Sequence, residues 1–344
     1  MRKILVAVFW LGVVFPAGIA DAKEFGEALS EAFSSIPAGA DAASIGNTDA
    51  ANEVFSSNNP AIVPTLLKDE HKVGLSGTYG SVRFGRGPDV DLYLASAAVR
   101  LPLGVFALTY ADANSGWSAT DPFFGPEMKF VENPTIDLKY GLKVRDGLFF
   151  QGDQLNAGIG YVFGESRLKF RFSQFIEDFG VDVPVAIKSE SRSHAGTVGV
   201  FYKPRKNVSV GAYYSHIWSS SKDTTDVAGG LFVEEVDSKI QSDQFRIGAG
   251  WRIVPLTYVT VDYRHLDMEG EKLDQVFAGI EQGFRENFPL FLYVGWADQG
   301  LTGGLGFYLE NGGLNLGYMH RPFRDLEPFL GKSEVLMATA FWNF

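Results

Sequence analysis

The chain has 344 residues, enough for one large domain or two ordinary ones, and it carries 30 Lys and Arg against 41 Asp and Glu. The resulting net charge of −11 argues against a nucleic-acid partner, because phosphate contacts need clustered Lys and Arg. The sequence contains no cysteine, which excludes lipoprotein attachment, covalent haem attachment, disulfide bonds and a thiol nucleophile.

The first 22 residues have the pattern of a secretory signal peptide. A basic start at Arg2 and Lys3 precedes an apolar run from Ile4 to Ala20 and a small-residue cleavage site at Ala20-Asp21-Ala22. The full chain contains 29 Phe, 13 Tyr, 6 Trp and 39 Gly, spread over nearly its whole length. After the signal peptide there is no uninterrupted apolar run of the ~18 residues that a transmembrane helix needs. An exported chain of this kind can cross a membrane only as a closed barrel.

Residues 23–65 are expected to form a short helix followed by a plug. Lys23–Ile36 has apolar residues at helical spacing, whereas the stretch from Pro37 to Ile62 is dominated by Ala, Gly, Ser, Asn and Asp. A segment with so few bulky side chains cannot build its own core. It is therefore either a loose linker or a plug packed against another part of the protein.

This stretch resembles the N-terminal plug of the FadL/TodX family, the outer-membrane transporters of long-chain fatty acids and aromatic hydrocarbons. The likeness rests loosely on Ala40–Asp49 and more specifically on the plug motif Asn59, Pro60 and Ala61, which stands just before the first strand pattern. The resemblance implies an all-β fold, a transmembrane antiparallel barrel of about 14 strands with a small N-terminal plug. It also implies passive import of hydrophobic small molecules.

Residues 66–344 alternate between strand patterns and turn formers, as outer-membrane strands do. Expected lipid-facing sets include Phe106, Leu108 and Tyr110, and also Val90, Leu92 and Leu94. Short turns are expected at Leu101-Pro102, Gly164-Glu165-Ser166, Lys203-Pro204-Arg205, Val254-Pro255 and Glu310-Asn311-Gly312. Longer polar loops are expected at 111–134, 177–194, 219–241, 266–272 and 321–332.

The number of segments does not match an even-numbered barrel. The alternation gives one segment more than 14, whereas a single-chain bacterial barrel has an even number. Either Ile136–Val144 forms a hairpin in an outer loop with Leu148-Phe149-Phe150, or one of the other segments is not a separate strand.

The closing strand, Ser333–Phe344, has the clearest pattern. Leu336, Ala338, Ala340 and Trp342 form one apolar face that ends in the terminal aromatic Phe344. We expect this strand to pair with the first one, and Phe344 to serve as the signal that the barrel assembly machinery reads.

Residue types that carry chemistry do not form a catalytic or metal-binding pattern. The five histidines have no metal-ligand spacing, and those near strand ends fit the headgroup level of a membrane. A Ser–His pair at Ser193-His194 leaves an outer-membrane lipase open, because such pairs are spatial. We expect no enzyme activity, no cofactor and no metal.

Several charged residues are expected to face the barrel lumen, among them Arg171, Arg246, Arg264 and Asp262. The simpler interpretation is mutual pairing, for example of Asp262 with Arg246 or Arg264 on a neighbouring strand. The alternative is that Arg171, Arg246 and Arg264 contact the ligand and receive an anionic head group.

Apolar residues in two long loops form a further candidate site. Trp117, Phe123 and Phe124 lie in one loop, and Phe323 and Phe329 lie in the other. Exposed apolar clusters in water usually contact something. We interpret them as an outer groove where an apolar substrate lands, although packing of loop against loop or against lipopolysaccharide is equally consistent.

The sequence therefore predicts a passive outer-membrane transporter in a Gram-negative bacterium. Its expected partners are a hydrophobic small molecule, outer-membrane lipid and lipopolysaccharide, and the barrel assembly machinery. Three alternatives stay open: a scaffold or secretion-associated barrel that binds protein partners, a general polar porin, and an outer-membrane enzyme.

Overall fold

The structure is a computed structural model. It describes residues 40–45, 47–51, 57–67, 70–85, 89–115, 127–146, 153–176, 181–227, 232–268, 270–285, 288–297, 300–323, 327 and 331–344. The signal peptide and the helix expected within residues 23–36 lie outside these ranges. Among the described residues, no helix has the length and apolar character needed to cross a membrane.

The fold is a closed antiparallel barrel of 14 strands. A fifteenth strand, β4 (Glu127–Glu132), pairs with β6 (Gln154–Ile176) outside the ring. The strands of the ring are β1 (Val73–Phe84), β2 (Val90–Leu101), β3 (Gly104–Ser115), β5 (Thr135–Asp146), β6 (Gln154–Ile176), β7 (Val181–Arg205), β8 (Val208–Val227), β9 (Phe232–Val254), β10 (Thr257–Met268), β11 (Glu271–Arg285), β12 (Phe288–Ala297), β13 (Gly300–Tyr308), β14 (Gly312–His320) and β15 (Ser333–Asn343). Strand β4 spans Glu127–Glu132.

The last strand closes the ring on the first, as the sequence predicted. Strands β1 and β15 pair from Gly74 opposite Asn343 to Phe84 opposite Ser333. The backbone N–H of Phe344 donates to the carbonyl of Val73 at 2.7 Å. Leu336, Trp342 and Phe344 are exposed on the outer face. Closure satisfies the backbone groups of both edges, which a bilayer requires.

The outer surface of the barrel carries an apolar band. Exposed large hydrophobic side chains recur on strand after strand, including Val198, Ile247, Trp251, Leu316 and Trp342. Inward positions of the same strands are buried and include many polar groups. Apolar-out and polar-in alternation is the pattern of a membrane barrel.

The predicted turn at Gly164-Glu165-Ser166 is wrong, and this error produced the odd strand count. These residues lie inside β6, which pairs without interruption along β7 from Gln154 opposite Lys203 to Ile176 opposite Val181. Ile136–Val144 belongs to β5, a wall strand between β3 and β6. The polar residues at 164–166 resembled a turn because this strand continues beyond the apolar band.

The predicted lipid face of β2 is also wrong. Val90 and Leu92 are buried inside the barrel, whereas Tyr93 is exposed. Both faces of this strand carry apolar residues, so alternation alone could not tell the lumen from the lipid.

Strands β6 to β9 extend far past the others on one side of the barrel. They contain 23, 25, 20 and 23 residues, whereas a membrane crossing takes about 9–11 residues. Much of the loops predicted at 177–194 and 219–241 is therefore strand. We call this projection, together with β4, the outer extension. Its ion pairs are exposed: hydrogen bonding to Glu235 raises the pKa of Lys222, and hydrogen bonding to Lys188 lowers the pKa of Glu190.

The described parts of the plug, residues 40–51 and 57–67 without residue 46, lie inside the barrel. Helix α1 (Ala40–Ser44) contacts β12 to β15, and a 3₁₀ helix (Pro60–Thr65) contacts β3 and β5 to β7. The plug therefore runs across the lumen from one wall to another. The predicted boundaries of the signal peptide, plug and barrel stay predictions.

Candidate functional site

One end of the plug is held against strands β13 and β14. The Ser44 hydroxyl donates to the carbonyl of Leu316 at 3.1 Å, and the Thr302 hydroxyl donates to the carbonyl of Ser44 at 3.0 Å. Both are neutral hydrogen bonds between the plug and the barrel wall. They hold the C-terminal end of helix α1 in place without a charged group.

The middle of the plug is held by three buried charged side chains, Asp49, Arg246 and Asp262, which we call the plug latch. Asp49 belongs to the plug, Arg246 to β9 and Asp262 to β10; each is about 1% exposed. The Arg246 guanidinium lies 3.0 Å from a carboxylate oxygen of Asp49 and 3.0 Å from one of Asp262. It also donates to the carbonyl of Asn47.

Asp262 binds the plug backbone directly. Its Oδ2 accepts hydrogen bonds from the backbone N–H of Asp49 at 2.7 Å and of Ala50 at 2.8 Å. The Arg246 Nε donates to the same oxygen at 3.0 Å. Because hydrogen bonds to an ionised acceptor are stronger than neutral ones, this carboxylate is the firmest polar tie between wall and plug.

Two arginines lie over one aromatic ring beside the latch. The Arg246 guanidinium carbon is 4.3 Å from the centre of the Phe277 ring, and that of Arg264 is 5.5 Å away. Arg264 also donates to the side-chain oxygen of Gln275. With Asp49 and Asp262 the two arginines make a group without net charge.

The plug motif Asn59-Pro60-Ala61 anchors the other end of the plug. The Asn59 side chain accepts from the N–H of Ala61 at 3.0 Å and so caps the 3₁₀ helix. Its Nδ2 donates to Ala50 within the plug at 2.9 Å and to Val200 of β7 at 3.0 Å. One side chain therefore joins both plug segments to the wall.

Close approach of the plug to the wall depends on glycine. A Cβ added at Gly211 would collide with the carbonyl of Ala50, and one added at Gly199 would collide with the Asn59 side chain. Backbone can approach backbone this closely only where the wall has no side chain.

An apolar surface lines the lumen next to the plug, and we call it the apolar wall. Its buried members come from β1, β2, β11, β12, β14, β15 and the connection after β14, and they form one cluster with Ala43 of the plug. They are Val82, Phe84, Val90, Leu92, Phe277, Ala297, Met319, Phe323, Val335 and Met337. Phe277 thus belongs to the apolar wall and also lies under the arginines of the latch.

Of the three predicted ligand-contacting arginines, the structure brings two together. Arg246 and Arg264 lie side by side in the lumen, and Arg246 pairs with Asp262, one of the two pairings that the sequence suggested. Its partners come from the wall and the plug, so its contacts in this state hold the plug. Arg171 lies on β6 opposite Ala186 in the outer extension, and its side chain is outside the described residues. Contact of any of the three with a ligand stays a prediction.

Of the predicted outer groove, only Phe323 can be placed. Phe323 is 5% exposed and its ring lies 6.1 Å from that of Phe84, so it packs on the apolar wall. Trp117, Phe123, Phe124 and Phe329 lie outside the described residues. The groove that they would form stays a prediction.

Sequence reasoning missed the role of Asp49 in the latch. Asp49 is 197 residues before Arg246 along the chain, and an Asp in a Gly- and Ala-rich segment looks like a turn residue. Nothing in the local sequence separates it from Asp41. The one signal in the sequence was an acidic residue, Asp262, at a lumen-facing position of a predicted strand.

An apolar groove of about 410 Å³ lies away from the plug. It is on the outer face near the closing strand, around Gly77, Ala340 and Trp342. These residues face lipid, so the groove is distinct from the lumen site.

Solved structures share this architecture. The toluene transporter TbuX of Ralstonia pickettii superimposes with a TM-score of 0.61 at 13% identity, over 91% of this chain and 100% of that chain. The toluene transporter TodX of P. putida gives 0.55 at 11% identity, over 90% and 98%. A Pseudomonas aeruginosa FadL homologue gives 0.53 at 12% identity, over 90% and 95%. The chain shares the fold of the FadL-family hydrocarbon channels.

The likeness is one of fold. No known family model matches the sequence, and no curated protein matches it significantly by sequence.

Proposed function

We propose that this chain is a plugged channel of the FadL/TodX type, placed in the outer membrane of a Gram-negative bacterium, through which apolar small molecules pass without covalent chemistry. The observation that carries the proposal is a closed membrane barrel whose lumen holds its own N-terminal segment beside a continuous apolar wall. The resemblance to TbuX and TodX, both toluene transporters, supports the same substrate class.

The plug explains how such a channel stays closed to water and ions. Its polar groups are satisfied by the wall through the latch and through Asn59, so the closed state is well bonded. Residues 42–45 and 47–51 are buried, but Ile45 is their only bulky aliphatic side chain, so a local shift of this segment disturbs little apolar packing. A hydrocarbon that displaces Ala43 from the apolar wall would move the plug without breaking the barrel.

The charges beside the apolar wall favour a neutral substrate. Arg246 and Arg264 are balanced by Asp49 and Asp262, and the buried carboxylates would repel an incoming fatty-acid carboxylate. Moving a charged ligand into this site costs desolvation free energy. Arg246 and Arg264 already have partners, so neither is available to offset that cost. We therefore place neutral aromatic or aliphatic hydrocarbons ahead of long-chain fatty acids as cargo.

This proposal is tested by flux into vesicles that contain the purified protein. Toluene should enter faster than into protein-free vesicles, whereas glucose and hexadecanoate should not. Entry of glucose would favour a general porin, and faster entry of hexadecanoate than of toluene would show that the charge argument is wrong. Protein heated until the barrel unfolds is the matched control.

A further inference from the structure

Aromatic and histidine side chains form a belt around the outside of the barrel, near the base of the outer extension. Tyr161 and His194 are joined by a 2.6 Å hydrogen bond, and the His194 ring stacks on Trp218 at 5.6 Å with 9° between the planes. The next strands continue it: His216 Nδ1 lies 2.8 Å from Asp243, and His265 Nδ1 lies 2.7 Å from Asp274.

On the far side of the ring, Tyr318 donates to Glu334 at 3.1 Å and Tyr79 donates to Asp91 at 2.8 Å. Rings that are apolar on their faces and polar at their tips collect at the level of lipid headgroups. The belt therefore marks the outer boundary of the bilayer.

Directly beyond the belt, the outward face of the outer extension is rich in basic residues. Below the belt the same strands expose apolar residues such as Ile159, Val198 and Val200. Above it, six basic side chains are exposed, which we call the basic patch. They are Arg167, Lys169, Lys188, Arg192, Lys222 and Lys239. The same face also exposes Glu190, Glu235 and Asp237, so among the described residues the exposed basic side chains outnumber the exposed acidic ones by three.

Part of the patch places like charges opposite each other. Lys169 of β6 is directly opposite Lys188 of β7, and on its other side the register places Lys129 of β4 opposite Lys169. Like charges in direct cross-strand positions destabilise a sheet. An anion bound between them would remove this repulsion.

Three members of the patch, Lys188 among them, have carboxylate partners. Lys188 lies 2.6 Å from Glu190, Arg192 lies 3.0 Å from Glu165, and Lys222 lies 2.9 Å from Glu235. Exposed ion pairs of this kind contribute little to stability. They can therefore be exchanged for a phosphate at low cost.

The height of the patch fits the headgroups of the outer leaflet. Arg192 is two residues from His194 of the belt and Lys188 is six residues away, which at the rise of a strand is about 7 Å and about 20 Å. This is the zone directly above the acyl chains, where a phosphorylated glycolipid presents its phosphate groups.

We propose that the basic patch binds the phosphate groups of lipopolysaccharide in the outer leaflet. The inference rests on the outer-membrane placement proposed above, but not on transport. Such a contact would hold the outer extension against the headgroups of the outer leaflet. The chemistry it needs is charge-assisted hydrogen bonding from Lys and Arg to phosphate.

The test uses full-length protein and native mass spectrometry. Purified lipopolysaccharide and the same glycolipid after phosphatase treatment are titrated onto the wild type and a triple variant, K169Q/K188Q/R192Q. A second triple variant, K72Q/R205Q/K206Q, removes three exposed positive charges from the opposite end of the barrel. The patch variant should bind lipopolysaccharide about 100-fold more weakly, since each Lys or Arg near an anionic lipid surface contributes roughly a factor of five.

The control variant should bind as the wild type does, and the dephosphorylated glycolipid should bind poorly to all three. Equal binding by both triple variants would overturn the proposal. So would equal binding of the phosphorylated and dephosphorylated glycolipids, or equally tight binding of phosphatidylglycerol vesicles.

If the patch variant does not fold, the salt dependence of lipopolysaccharide binding by the wild type tests the proposal instead. Its affinity for lipopolysaccharide should fall steeply between low and high NaCl, because exposed charge pairs are screened. An affinity independent of salt would refute the phosphate contact. Toluene flux in vesicles without lipopolysaccharide tests the channel separately, so either proposal can fail alone.

Discussion

The plug latch predicts what happens when Asp262 is replaced by alanine. The Asp262 Oδ2 accepts from the backbone N–H of Asp49, the backbone N–H of Ala50 and the Arg246 guanidinium. The alanine variant loses all of these bonds and leaves Arg246 with one carboxylate partner, Asp49. Removing one member of a buried ion pair costs about 3–5 kcal/mol.

A cost of that size shifts the balance between a seated and a displaced plug by roughly two to three and a half orders of magnitude, at about 1.4 kcal/mol per tenfold change. In a planar bilayer the wild type should conduct near the baseline. The Asp262→Ala protein should show frequent openings. Asp262→Asn keeps a side-chain oxygen as acceptor, so its openings should be rarer.

The control for this experiment is Asp274→Ala, on the neighbouring strand. Asp274 is an exposed carboxylate on the outer face, hydrogen-bonded to Tyr263 and His265 but not to the plug. Its loss should leave conductance unchanged. If the Asp262→Ala protein is folded, as shown by its heat-modifiable migration on a gel, and conducts no more than the wild type, the latch does not hold the plug.

Two further predictions concern the wall. Gly211→Val should displace the plug and raise conductance, because the added side chain would occupy the space of the plug backbone. The control is Gly77→Val on the lipid face, where an added Cβ meets open space and conductance should not change. A Gly211→Val protein with wild-type conductance would contradict the close packing of plug and wall. Deleting Phe344 should lower the amount of folded barrel in the outer membrane, measured by heat-modifiable migration, and unchanged assembly would show that the terminal aromatic is not a signal.

The sequence was sufficient for the architecture. Alternation along the closing strand predicted its pairing with β1, and the plug motif at Asn59 predicted the segment that enters the lumen. Both signals are local: a period of two, and a run of small residues before the first strand. The predicted strand number of about 14 agrees with the structure.

Errors arose where a strand leaves the bilayer or faces an apolar lumen. Gly164-Glu165-Ser166 lies in a strand that continues in water, where polar residues are as acceptable as in a turn. Val90 and Leu92 belong to the apolar wall of the lumen, so the usual contrast between lumen and lipid disappears. In both places the environment differs from the one that the alternation rule assumes.

The candidate site was only partly predictable, because it is built from distant segments. Asp262 and Arg246 are on adjacent strands and could be paired from sequence, with Arg264 as the competing partner. Asp49 reaches them only after the plug has entered the barrel, and its partners are set by that placement. No periodicity in the sequence encodes such a contact.

The central claim is that a neutral hydrocarbon travels along the apolar wall past a movable plug. An experimental structure of the protein after diffusion of toluene tests it most directly. The account predicts toluene beside Phe84, Phe277 and Met337, with Ala43 displaced from the apolar wall. Toluene found only in the lipid-facing groove at Gly77, with the plug in place, would contradict it.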